Sequence, residues 1–188
     1  MRKIWNEVLR DGTPVMIRTI NKADAGRERT FIEGLSAESR YFRFLQNVKH
    51  PSPDLIRRFT EVDQQNDIAL VALLSTADEP RIIGVSRYSR CDDGNVCECA
   101  VTVADEWQGK GLGTLLMRHL IEIAREQGIA HLYSLDSAEN RPMQELAAHL
   151  GFQRRVDRDD PTLVEHRLEL KHVPSAQPDN PMNRRPHV

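Results

Sequence analysis

The sequence predicts a single α/β (α+β) domain: a mixed, mostly antiparallel twisted sheet with a central parallel strand pair, flanked by helices. Three observations predict it. Val96-Cys97-Glu98-Cys99-Ala100-Val101-Thr102-Val103 is a strand-like, β-branched stretch. It runs into the glycine-rich Gln108-Gly109-Lys110-Gly111-Leu112-Gly113, after which Leu115, Leu116, Leu120 and Ile123 recur at a helical period. A second strand-like run, Ala130 to Asp136, follows that helix, and a helix between two strands makes them parallel through a right-handed crossover.

At 188 residues the chain has the length of one ordinary domain with room for a real core. We expect that domain over residues 1–170. Hydrophobic residues at 39% and charged residues at 29% describe a soluble globular protein, and a formal charge of −2 argues against coating nucleic acid or an anionic membrane. No apolar run approaches the ~18 residues of a membrane span, and the first seven residues do not lead into a signal-peptide core, so a cytoplasmic location is expected. Cys91, Cys97 and Cys99 are odd in number, and two stand at i and i+2 on one strand face, which suits reduced thiols, buried or partly buried. No histidine lies close enough in sequence to complete a zinc site, so no metal is expected.

In chain order, Leu9 to Ile20 reads as a turn and a short strand. Asn21 or Asp24 starts a helix with Ala25, Phe31, Ile32 and Leu35 inward, and Gly34 weakens its end. Ser36 to Ser39 caps another helical turn carrying Tyr41, Phe42, Phe44 and Leu45; core packing is the expectation for this cluster, with a groove wall as the alternative. Pro51 to Asp54 opens a short helix through Leu55, Ile56 and Phe59. Ile68 to Leu74 is continuously apolar, as in a strand buried on both faces. Asp78 to Pro80 turns into a strand over Arg81 to Arg90, and the Asp-Gly pair in Cys91 to Asn95 marks a hairpin into the central strand. The helix from Leu112 ends near Gln127, with Gly128 as its cap. After the second parallel strand, Asn140-Arg141-Pro142 enters a helix reaching Gly151-Phe152, and strands over Phe152 to Val156 and Leu163 to Leu170 close the domain. Residues 171–188 carry four prolines in the last fifteen positions and no apolar period, and read as a disordered tail.

A glycine-rich loop that opens a helix presents unpaired backbone N–H groups at the positive end of the helix dipole, and so suits a phosphate or pyrophosphate. A Walker A loop does not fit, because Lys110 stands between glycines. The dinucleotide fingerprint fits Gly109 and Gly111, but its third glycine falls on Thr114; Asp136 is the feature that keeps this reading open.

Gln108, Gly111 and Gly113 resemble the acyl-CoA signature of the GNAT acyltransferase superfamily, and Asn140, Met143, Leu146, Ala147, Leu150, Gly151 and Phe152 are similar to the family's last helix. With the element order, the resemblance covers about Gly12 to Leu170. Asp11-Gly12-Thr13, Ile17-Arg18, Asp24-Ala25, the stretch Leu35 to Phe44, Trp107 to Gly111 and Asn140 to Met143 are similar to the catalytic domain of bacterial protein-lysine acetyltransferases of the Pat type.

The resemblance implies a GNAT fold with strands splayed around an acyl-CoA groove, acetyl-CoA as co-substrate, and transfer of the acetyl group to a primary amine. Protein lysine is the expected acceptor, with a small amine or a non-catalytic acyl-CoA-binding role as alternatives, in a monomer or homodimer. Thr102 and Val103 then offer backbone hydrogen bonds to the coenzyme's arm. Gln108, Gly109, Lys110, Gly111, Leu112, Gly113 and Thr114 hold the pyrophosphate, and Asn140 and Met143 lie along the pantetheine. Asn140 also reads as a helix N-cap, and Lys110 as a solvated loop lysine. Glu98, the acidic residue within the central strand, is the expected general base, against a structural pairing with an arginine such as Arg87. Ala147 stands where many family members carry a tyrosine that protonates the departing thiolate. A thiol pKa near 8.5 lets the thiolate leave without much help.

Overall fold

A computed structural model describes residues 3–46, 48–75, 79–91, 94–157 and 159–170. The expected tail lies outside these residues, as do parts of the turns around Asp78, Asp92 and Arg158.

The elements are β1 (Ile4–Val8), β2 (Pro14–Thr19), α1 (Ala25–Gly34), α2 (Ala37–Phe44), α3 (Pro53–Thr60), β3 (Asp67–Leu74), β4 (Arg81–Arg90), β5 (Val96–Val103), α4 (Leu112–Glu126), β6 (His131–Ser137), α5 (Arg141–His149), β7 (Gln153–Val156) and β8 (Leu163–Glu169). They form one eight-stranded sheet in the order β1-β2-β3-β4-β5-β6-β8-β7. Every neighbouring pair is antiparallel except β5–β6, the parallel pair expected from the helical crossover. Strand β1 is not foreshadowed by the sequence: its burial alternates between exposed and half-buried at the sheet edge, where the apolar signal is weak.

Strand β3 shows why Ile68 to Leu74 is uninterrupted by polar residues. Ile68, Leu70 and Ala72 enter one core, while Ala69, Val71 and Leu73 enter the other. The first core is completed by α4, whose Leu112, Leu116, Met117 and Leu120 are almost fully buried. At roughly 1.5–3 kcal/mol per buried aliphatic side chain, this face fixes α4 against the sheet. The second core is closed by Phe31, Ile32 and Leu35 from α1 and its end, and by Ile56 of α3.

The entry to α1 is pinned electrostatically. Asn21 caps a 3₁₀ turn over Lys22–Asp24, and the buried Asp24 carboxylate receives both terminal nitrogens of Arg18 at 2.7 Å. Burial alone would raise the Asp24 pKa, but hydrogen bonds from Arg18 and the Asn21 N–H outweigh it and hold the group below its ordinary value.

Helix α2 departs from the core-packing expectation. It has no buried residue, and Tyr41 is 46% exposed. Phe44 packs partly against the second core and lies parallel to Phe59, with 6.2 Å between ring centroids, while its other surface is left to a groove. Phe42 and Phe44 are therefore wall rather than interior, and Tyr41 lies on the surface.

Candidate active site

The groove opens where the parallel pair comes apart. Pairing of β5 with β6 runs through Val96–His131, Cys97–Leu132 and Glu98–Tyr133 and stops there, although β5 continues to Val103 and β6 to Ser137. The resulting cavity of about 810 Å³ is lined by the separated strand ends, the glycine loop, the start of α4, the first turns of α5 and one side of α2.

The glycine loop forms as its sequence spacing predicts. Gly109 and Gly111 take φ values of 73° and 87°, a left-handed region that favours glycine. Gly111 is the N-cap of α4, and the first helical hydrogen bond runs from Leu115 N–H to Gly111 O at 3.1 Å. The N–H groups of Leu112, Gly113 and Thr114 thus precede that bond and lie at the positive end of a 15-residue helix. On the opposite bank, Asn140 caps α5 by accepting the Met143 N–H at 3.1 Å. Asn140 and Met143 both line the groove.

The structure brings together Glu98, Thr102, Val103, Gln108, Gly109, Gly111, Leu112, Gly113, Thr114, Asn140 and Met143 around this groove. Lys110 is turned away from it. Its Nζ pairs with Asp11 at 3.0 Å and lies 4.3 Å above the Trp107 ring. Thr102 Oγ1 is buried with no hydrogen-bond partner among the described residues, an orphaned polar atom on the groove wall. Together with the free helix N–H groups, it fits a ligand that carries phosphates at one end and amides along its length.

Glu98 is exposed at the last paired position before the strands diverge. Arg87, the arginine weighed as its structural partner, pairs instead with buried Glu28 at 3.7 Å and lies 3.9 Å over the Phe59 ring. Burial and the neighbouring Arg43 bring the Arg87 pKa down to about 10. Glu98 makes no salt bridge within 4 Å among the described residues, which leaves its carboxylate available in the groove. Cys97 and Cys99 face the opposite way and are buried thiols, with burial pushing Cys99 upward.

Several groove residues escape sequence reading. Asp105, in the 3₁₀ turn after β5, accepts hydrogen bonds from Ser36 N–H at 2.9 Å, Ser36 Oγ at 2.7 Å and Ser39 Oγ at 2.7 Å. Burial would raise the Asp105 pKa, but these bonds hold it low. Gln108 Nε2 adds bonds to Val103 O at 3.2 Å and Ser39 Oγ at 3.3 Å. One wall, α2, is thereby fastened to the end of β5. Arg43 of α2 lines the groove 5.2 Å from both the Phe44 and Phe59 ring centroids; burial lowers its pKa against the opposing charges of Glu28, Glu98 and Asp136. Asp136 accepts hydrogen bonds from Ser134 Oγ at 2.6 Å and pairs with buried His166 Nδ1 at 3.0 Å. The only signal for the contacts of Asp105 with Ser36 and Ser39 and of Asp136 with His166 is tertiary, because these partners lie 30 to 69 residues apart.

Ala147 is 1% exposed, belongs to the first core and does not line the groove, so that position offers no proton donor. Among the described residues, no group of three or more His, Cys, Asp and Glu side chains could hold a metal ion, and no helix is long and apolar enough to cross a membrane.

Comparison with known proteins agrees with this architecture. The model of the acetyltransferase (GNAT) family matches residues 34–152. The chain is 48% identical to acetyltransferase PA5475 of Pseudomonas aeruginosa, over 88% of this chain and 89% of that protein. Its fold superposes on the GNAT domain of the S. lividans Pat protein with a TM-score of 0.81 at 28% identity, covering 89% of this chain and 97% of that one. The fold of yncA from Salmonella typhimurium, solved with its cofactor acetyl-CoA, gives a TM-score of 0.64 at 19% identity, covering 87% and 98%. Family match, close relative and the splayed parallel pair together identify the chain as a member of the GNAT acetyltransferase family.

Proposed function

We infer that the chain is an acetyl-CoA-dependent N-acetyltransferase whose acceptor is the side-chain amine of protein lysines. The observation that carries this reading is the parting of β5 and β6 immediately after Glu98, with the glycine loop at the far end of the same groove. The N–H groups of Leu112, Gly113 and Thr114 hold phosphate, and the β5 end with Asn140 and Met143 lines the arm. Acetyl-CoA supplies a thioester carbonyl.

A lysine amine is protonated in water, with a pKa near 10.4, and only its neutral form is a nucleophile. Glu98 takes a proton from the amine, directly or through one water, as the C–N bond forms and the C–S bond breaks. The thiolate leaves without an acid at position 147, consistent with a thiol pKa near 8.5. A protein acceptor is supported by the likeness to the Pat GNAT domain and by the open acceptor side, where Tyr41 and Leu135 expose apolar surface to a docking chain.

Incubation with labelled acetyl-CoA, in parallel with protein extract and a panel of small amines, tests the assignment. Label on protein lysines supports it. Label confined to a small amine reassigns the acceptor, and binding without transfer to either removes the enzymatic reading.

A further inference from the structure

The turn between β1 and β2 is docked on the glycine loop, about 100 residues further along the chain. Arg10 N–H donates to Lys110 O at 3.1 Å, and Asp11 pairs with Lys110 Nζ at 3.0 Å. Asp11 is itself fixed by the Thr13 N–H at 3.0 Å, and hydrogen bonds from Thr13 and Lys110 keep its carboxyl at about 2. The charge of the loop's own lysine is therefore already matched by a carboxylate, and its ammonium lies over the Trp107 ring.

Arg10 is in the opposite situation. Its side chain crosses Gly111, with Nε, Cγ and Cδ at 3.2, 3.4 and 3.5 Å from the point where a β-carbon on residue 111 would stand. It lines the groove beside the start of α4, it is exposed, and its guanidinium makes no hydrogen bond or ion pair with a described residue. A guanidinium has five N–H donors in a fixed fork that matches phosphate oxygens. Here that fork stands next to three backbone N–H groups at a helix N-terminus.

We propose that Arg10 is the side chain that binds a phosphate of acetyl-CoA, and that Lys110 acts through it by holding the β1–β2 turn in place. This rests on the acetyl-CoA reading given above. The chemistry fits either the pyrophosphate or the 3′-phosphate. Arg10 is thus a binding residue and Lys110 a positioning residue, the reverse of what the loop sequence suggests.

The test compares wild type, R10Q, R10K and K110Q. Binding of acetyl-CoA and 3′-dephospho-acetyl-CoA is measured by calorimetry, transfer from phosphate-free acetyl-pantetheine by rate, and protection of residues 9–13 by hydrogen exchange. R10Q is expected to weaken acetyl-CoA binding by about 10- to 100-fold, and R10K by less, because an ammonium keeps the charge and loses the fork. R10Q transfer from acetyl-pantetheine is expected to match wild type. K110Q is expected to weaken acetyl-CoA binding less than R10Q and to speed exchange at residues 9–13. A loss in R10Q that persists with the dephospho compound assigns the pyrophosphate, and one that vanishes assigns the 3′-phosphate; both sustain the proposal.

Equal acetyl-CoA binding by R10Q and wild type overturns it. So does an equal loss with acetyl-pantetheine, which marks a structural role, or a K110Q loss as large as that of R10Q with residues 9–13 still protected. If wild type binds no acetyl-CoA, the functional reading fails and this assignment falls with it; the other results overturn the assignment alone.

Discussion

On the α4 side of the groove the surface is made by backbone. Gly109 and Gly111 in left-handed conformation, the helix N-terminus they release, and the Asn140 cap of α5 follow one another within short segments of chain. On the α2 side the surface is made by side chains, Phe42, Arg43, Phe44 and Leu45, held in place by Asp105 from a distant turn. The first wall is specified by local rules and suits the invariant part of a reaction, a coenzyme presented in one orientation. The second is specified by tertiary contacts, so its shape and charge can change without disturbing the first. An enzyme family can in this way keep one donor and vary its acceptors.

Glu98 stands between the two walls, and removing its basicity is the largest expected effect. Glu98→Gln preserves shape, so kcat is expected to fall by about 100-fold or more at neutral pH, with acetyl-CoA affinity within about twofold of wild type. Raising the pH should recover part of the loss, because more acceptor amine arrives neutral. Steady-state kinetics across that pH range, with a separate binding measurement, check both halves. A wild-type kcat throughout would show that the proton leaves by another route.

The backbone wall is broken at Gly113. An added β-carbon would come 3.3 Å from Leu146 Cδ2, a contact with a flexible side-chain end, and a carboxylate in the first turn of α4 is compatible with the helix dipole. Gly113→Asp should therefore fold, yet place a negative charge where phosphate is to bind. We expect affinity for acetyl-CoA to fall by about 30-fold, or about 2 kcal/mol, and its stabilising shift of the melting temperature to shrink accordingly. Equal shifts in variant and wild type would move the phosphate site elsewhere.

The same contrast explains what the sequence made legible. The β5 strand, the glycine loop, α4 and the parallel β6 could be read because strand composition, glycine spacing and helical period act within a few residues. Most of the α4 wall follows from them. The α2 wall could not be read, since amphipathic α2 presents aromatic residues that look like core until the position of α2 against Asp105 is known. The pairing of Arg87 with Glu28 is hidden for the same reason: the two residues meet only when α1 packs on β4.

Loosening the side-chain wall should give a smaller, selective effect. Asp105→Asn replaces an acceptor-only carboxylate by an amide that meets the Ser36 N–H and two serine hydroxyls less well. With α2 less firmly held, the acceptor KM is expected to rise by about 5- to 10-fold, which corresponds to about 1 kcal/mol, while the acetyl-CoA KM changes by less than about twofold. Varying one substrate at saturating levels of the other separates the two. Equal changes in both KM values would mean that the walls are not independent.

The smallest effect is expected from acid, and it too distinguishes the walls. Asp24 and Asp105 have pKa values held below the ordinary aspartate value of about 3.9. The unfolded chain then binds more protons than the native one, so their stabilisation is present above that value and is lost as the pH falls through their native values. Glu28 has the opposite sign. Its burial raises its pKa despite Arg87, so its contribution is present below the ordinary glutamate value of about 4.3 and is lost as the pH rises through the raised value. Glu28 therefore adds stability as the pH falls toward about 4.3, whereas the two aspartates lose theirs only as the pH falls below about 3.9. Thermal unfolding followed from pH 7 to pH 3 should show a shallower acid loss in Asp105→Asn than in wild type. Glu28→Gln should lack the gain in stability that wild type draws from Glu28 as the pH falls toward about 4.3. Melting curves that shift in parallel for all three proteins would place the acid sensitivity outside these carboxylates.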